Sequence, residues 1–205
     1  QGKGIKAPHY ARWSQGSAKR WPILANDLQA QTGIDLCLQQ QGGYDLFSDA
    51  DELQQTIDNY TNLREALGGD YPFEVLEPET LRREEPEIGP KIIGATLHQQ
   101  DGHVNPLRLL HALATAHQMA GGIRLTDHKV DAIKALAEGY RLQTHNGHTI
   151  KAQKVVLCAG LGANPLAEAL GFNTRVKPVR GQNLVTEKIP PFMQRPAVTV
   201  RQLNE

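Results

Sequence analysis

The sequence predicts an α/β (α+β) fold, and three observations predict it. Segments of helical and strand-like apolar spacing alternate along most of the 205 residues. A short unbroken apolar run, Val155-Val156-Leu157-Cys158, leads into Ala159-Gly160-Leu161-Gly162. That is how a strand buried on both faces reads before a tight turn. Asn146-Gly147, set between alternating residues, is a strong hairpin signal.

The elements follow in order. Residues 14–31 have helical character, with Trp21, Ile23, Leu24 and Leu28 apolar. Pro22 is a cost that kinks or splits this helix, and Gly33 stops it. Residues 34–38 and 44–47 read as strands around Gly42-Gly43. Asp49 is a good N-cap, with Asp51 and Glu52 in the first turn of a helix reaching about Leu67. Glu77-Pro78-Glu79 opens a short helix that stops before Pro86. Residues 92–98 read as a strand. Asn105 then caps a helix starting at Pro106, with Leu107, Leu110, Leu113, Ala114 and His117 on one face. Residues 123–125 form a short strand. Residues 129–136, 140–144 and 148–152 form a three-stranded meander, turning at Glu138-Gly139 and Asn146-Gly147. Asn164 caps a last short helix from Pro165, and residues 197–200 are strand-like.

Composition narrows the function. Formal net charge is zero, which argues against a nucleic-acid or acidic-membrane partner. No apolar run is long enough to span a membrane, and no signal-peptide pattern is present. Cys37 and Cys158 lie far apart in apolar surroundings, as two buried free thiols in a reducing, cytoplasmic setting would. The chain opens at Gln1 without an initiator Met and closes just after a strand-like run, as a piece of a longer protein would. His145 and His148 flank the Asn-Gly turn and read as solvated hairpin residues, so no metal site is expected. No Ser-His-Asp or Cys-His constellation is legible, and no catalytic residue can be assigned.

Three motifs, in this order and spacing, carry a resemblance: Asp101-Gly102-His103-Val104-Asn105-Pro106, the run from Val155 to Gly160, and Pro178-Val179-Arg180-Gly181-Gln182. Gly33-Ile34-Asp35 and Gly42-Gly43-Tyr44-Asp45-Leu46 add to it. Together they resemble the FAD-dependent D-amino-acid oxidase superfamily, in the branch of glycine oxidase, sarcosine oxidase and the D-amino-acid dehydrogenases. The resemblance covers nearly the whole chain and maps it onto the middle of such a protein. It implies part of an FAD-binding domain with a β-meander (residues 1–32 and 99–170) and part of a mixed-sheet substrate domain (residues 33–98 and 171–205).

The resemblance also implies roles. FAD is the cofactor, and a small amine or amino acid is the substrate. Hydride passes from the substrate Cα–H to the flavin, and the imine formed then hydrolyses. Val130 meets the adenine through backbone groups, or is a plain meander residue. Ala159, Gly160 and Leu161 lie against the ribose and pyrophosphate, or simply make a tight turn. Arg201 touches the substrate carboxylate, or is a surface arginine at a strand end. A homo-oligomer is compatible with all of this.

Two departures qualify it. No GxGxxG precedes residue 33, and the family's C-terminal half, with its carboxylate-binding arginine, is not in the sequence. Gly160-Leu161-Gly162-Ala163-Asn164-Pro165 approximates that fingerprint, but Pro165 stands at the third glycine. The isolated piece is therefore expected to be colourless, inactive and prone to self-association. The alternative is a non-enzymatic ligand-binding or subunit-interface module that kept the fold without flavin.

Overall fold

The structure is a computed structural model that describes residues 8–174 and 176–199. Its elements run α1 (Pro8–Thr32), β1 (Gly43–Phe47), α2 (Ala50–Ala66), β2 (Glu74–Leu76), α3 (Pro78–Glu84), β3 (Gly94–His98) and α4 (Pro106–Met119). After these come β4 (Val130–Ala135), β5 (Tyr140–Thr144), β6 (Thr149–Ala152), a 3-10 turn (Gly160–Gly162), α5 (Ala163–Glu168) and β7 (Ala197–Thr199). The chain forms two compact units. One runs to Gly122 and resumes at Lys188; the other is Ile123–Glu187.

The first unit is built on a mixed sheet of order β2-β3-β1-β7. β1 pairs antiparallel with β3, Asp45 facing Thr96, and parallel with β7. Because side chains alternate along a strand, Tyr44 and Leu46 share one face. They join Leu76, Leu81, Ile88, Ala95 and Leu97 in the main core, over which α3 lies. The approach to β7 is fastened to α3. Buried Glu85 accepts the Gln194 N–H at 3.1 and 2.9 Å through its two carboxylate oxygens. Arg195 donates to Glu84 Oε2 at 2.8 Å and to the Gln41 carbonyl at 2.8 Å.

α1 runs unbroken through Pro22. A proline ring displaces the carbonyl four residues back from its helical bond. Here that carbonyl belongs to Ala18, and the Gln40 side-chain amide donates to it at 3.0 Å. The orphaned acceptor is thus satisfied from outside the helix. Ala25 and Leu28 pack with Leu36 and Ala112 of α4 in a second core. The face expected for α1 differs, since Ile23 and Leu24 are exposed.

The helix starts at Asp49 and Asn105 form as expected. Asp49 accepts from the amides of Asp51 and Glu52 at 2.9 and 3.0 Å. Asn105 accepts from Leu107 and Arg108, both at 3.1 Å. The apolar face expected on α4 is not its buried one. Leu107 is 77% exposed, with Leu110 and Leu113 also exposed, and Ala112 carries the contact because α1 approaches at a small residue.

The meander forms as order β4-β5-β6, with both turns in place. Its unit is closed by α5 packing on β4, with Ile133, Leu166 and Ala167 buried.

Three expected strands are absent. In 34–38 the Asp35 side chain accepts the Cys37 N–H at 2.8 Å and bends the backbone, leaving Cys37 at φ 52. Segments 123–125 and 155–158 find no pairing partner among the described residues, and Val156 is 83% exposed. Residues 178–182 likewise have no regular structure, and only 197–199 of that region forms strand. Both cysteines are exposed rather than buried, Cys37 on its turn and Cys158 on the unpaired segment. Asn164 does not cap α5. It lies inside the helix, donates to the Val176 carbonyl at 2.9 Å and accepts from Thr174 Oγ1 at 2.7 Å.

Removing the Asp49 cap should be measurable. Asp49→Ala is expected to cost about 1 kcal/mol in a urea melt, and Asp49→Asn much less. Equal melts for parent and Asp49→Ala would show that α2 does not depend on this cap.

Candidate functional site

The cofactor-contact residues expected from the sequence fall in the second unit. Val130 opens β4 and is half-buried. The ladder jumps from Val130–Thr144 to Ala132–Gln143, so Asp131 is an extra residue in a β-bulge. Ala159, Gly160 and Leu161 are exposed on the turn that feeds directly into α5, which packs on β4. The structure therefore brings Val130 and the Gly160 turn onto adjoining elements. Arg201 lies outside the described residues.

Gly160 tests whether a flat ligand can approach. Its φ of 56° lies in the left-handed region, which strains any residue with a Cβ. An added Cβ would meet nothing within 4 Å. No protein atom crowds the turn, so the glycine leaves an open, backbone-lined approach. The turn offers no cation to a phosphate, and α5, at six residues, is too short to present a helix N-terminus to one. These residues fit the edge of a dinucleotide and not its pyrophosphate cradle.

Sequence reasoning missed a histidine pair. His128 Nε2 and His148 Nδ1 stand 2.9 Å apart on neighbouring parts of the meander. No group of three metal-ligating side chains occurs among the described residues.

It also missed a polar network in the first unit. Asp45 interrupts the apolar run of β1, and that lone charge was the available signal. Its carboxylate Oδ2 accepts from Tyr60 Oη at 2.8 Å and Thr96 Oγ1 at 3.4 Å, with His98 Nε2 at 3.6 Å. The Asp45 side chain is 23% exposed. Burial alone would raise its pKa, but the His98 ring and the Tyr60 and Thr96 hydroxyls outweigh that and hold it below the usual carboxylate value. Tyr60 is pushed far upward, by burial first and then by the Asp45 charge. On the opposite face, Arg195 and then Tyr44 hydrogen-bond Glu84 and lower its pKa.

These shifts give the pH response its sign. Asp45 is depressed, so its contribution to stability is complete above about pH 4 and is lost as pH falls through its native value. Tyr60 is raised, so its contribution is complete below about pH 10 and is lost as pH rises toward its native value. Melting temperatures across both limbs should show Asp45→Asn flattening the acid limb and Tyr60→Phe flattening the alkaline one. Unchanged limbs in the two variants would contradict the network.

Residues 3–204 match the family model described as FAD dependent oxidoreductase (DAO). An opine oxidase subunit from Rhizobium meliloti is 37% identical over 206 residues, which cover 100% of this chain and 55% of that protein. Glycine oxidase of Geobacillus kaustophilus is 30% identical over 174 residues, covering 84% of this chain and 45% of the relative. The crystal structure of glycine oxidase from Geobacillus kaustophilus superposes with a TM-score of 0.74 at 28% identity, over 83% of this chain and 45% of that one. The chain thus spans about half the length of the curated relatives it matches. With a match running through both sheets and both compact units, the chain belongs to the DAO family of FAD dependent oxidoreductases.

Proposed function

We propose that this chain supplies part of the FAD pocket and part of the substrate domain of an enzyme that oxidises the C–N bond of a small amine or amino acid. Family membership supports the reaction class. The observation that carries the cofactor assignment is the exposed Ala159-Gly160-Leu161 turn, left-handed at Gly160 and open above it. Val130, beside its bulge, offers backbone groups to the adenine edge. Bound flavin would accept the hydride from the substrate Cα–H. This chain's own residues would position the adenosine half and exclude water from it.

In this proposal residues 1–32 and 99–170 serve the cofactor, and residues 33–98 and 171–205 serve the substrate. Arg201 would touch the substrate carboxylate through a charge-assisted contact. Relatives named for opine and glycine oxidation support an amino acid bearing a primary or secondary amine. Both cysteines are free thiols, which agrees with a reducing, cytoplasmic setting.

A single side chain tests the cofactor assignment. Gly160→Ala, in protein made from the complete reading frame, should cost the apo form about 1 kcal/mol from backbone strain. Flavin retained after gel filtration should fall about tenfold, since a Cβ occupies the approach. Undiminished flavin in the variant would remove the Gly160 turn from the cofactor site.

A further inference from the structure

Gly43 and Asp45 are two residues apart on β1, so they share the face opposite the main core. A Cβ at Gly43 would fall 2.6 Å from Asp101 Oδ2. The Asp101 carboxylate therefore lies on that face, directly over the glycine. Two carboxylates thus sit side by side on one face of the sheet, over β1 positions about 7 Å apart.

They line a cleft of about 330 Å3 walled by Tyr60, Tyr71 and His98. His98 meets both tyrosine rings edge-on, and the two tyrosine rings are tilted against each other. Their centroids are 4.8 Å apart for Tyr60–His98, 5.6 Å for Tyr60–Tyr71 and 5.7 Å for Tyr71–His98. No lysine or arginine lines the cleft. The nearby Lys19 is held instead by Asp70 at 3.0 Å. Within the Asp45 carboxylate both hydroxyl bonds fall on Oδ2, and among the described residues Oδ1 receives none.

The cleft adjoins a second one of about 570 Å3, with Ser14, Ala18, Gln100 and Asp101 common to both. That one is lined by Trp13, Trp21, Leu38 and Leu109 and also lacks lysine and arginine. An anionic, aromatic-walled pocket thus opens onto an apolar trough. Carboxylates and ring faces together recognise an organic cation.

We propose that this pair of clefts binds a primary ammonium ion carrying an aromatic or alkyl tail and no carboxylate. The ammonium lies between Asp45, Asp101 and the tyrosine rings, and the tail lies against Trp13 and Trp21. An α-amino acid is disfavoured, because its carboxylate would face two others, and the one imidazole among the lining residues, His98, is already held 3.6 Å from Asp45 Oδ2. The site is therefore chemically distinct from an amino-acid substrate pocket, and it does not depend on flavin.

The probe is 2-phenylethylammonium chloride, titrated calorimetrically at fixed ionic strength into protein made from the complete reading frame. Saturable binding is expected, equal in flavin-loaded and flavin-free protein. Asp45→Asn should weaken it about tenfold. Asp101→Asn, which leaves the Tyr60 and Thr96 bonds intact, should do the same and serves if Asp45→Asn does not fold. Phenylalanine, the same skeleton with a carboxylate, should bind at least about tenfold more weakly. Absence of saturable binding, binding unchanged by the aspartate substitutions, equal affinity for phenylalanine, or binding only when flavin is loaded would each overturn the proposal.

Discussion

The pairing of β1 with β3 is the constraint on which the first unit depends. Five consecutive residue pairs, from Gly43–His98 to Phe47–Gly94, fix the register. Register in turn decides which side chains go to which face, because a shift of one residue exchanges them all. Tyr44, Leu46, Ala95 and Leu97 are thereby committed to the core under α3. Asp45, Thr96 and His98 are committed to the other face, where Tyr60 of α2 meets them. A half-buried carboxylate on a sheet is costly unless its acceptors are met. Here the same register that turns Asp45 to this face also brings Thr96 directly opposite it.

Local signals in the sequence were reliable where the physics was local. Asp49 and Asn105 cap their helices through bonds to amides two and three residues away, and Asn146-Gly147 turns between two strands that are neighbours in sequence. Signals that required a distant partner were less so. Residues 155–158 have the composition of a doubly buried strand, but a strand exists only through a neighbour, and the described residues provide none. Residues 34–38 lost their strand to a single Asp35 side chain competing for the backbone. Pro22 read as a helix breaker because Gln40, which satisfies the carbonyl it displaces, lies eighteen residues further along and meets it only in the fold.

The same distinction holds for function. The motifs around Asp101, Gly160 and Pro178 were legible as a family pattern, and the family match runs across both compact units. The Asp45 cluster was not legible, because Tyr60 comes from α2 while His98 and Asp101 come from the end of β3 and the turn after it. Exposed Leu107, Leu110 and Leu113 on α4 belong in this category too. Their spacing identified an apolar helix face correctly, while the burial of that face is decided by what packs there.

The proposed role of the chain is in flavin-dependent oxidation of a C–N bond. The most direct test is the visible absorption spectrum of protein made from its complete reading frame, recorded anaerobically before and after adding a small amino acid such as glycine. The account predicts an oxidised flavin band that bleaches on mixing. A protein that refolds and purifies without any flavin band, and takes up none when FAD is supplied, would contradict it.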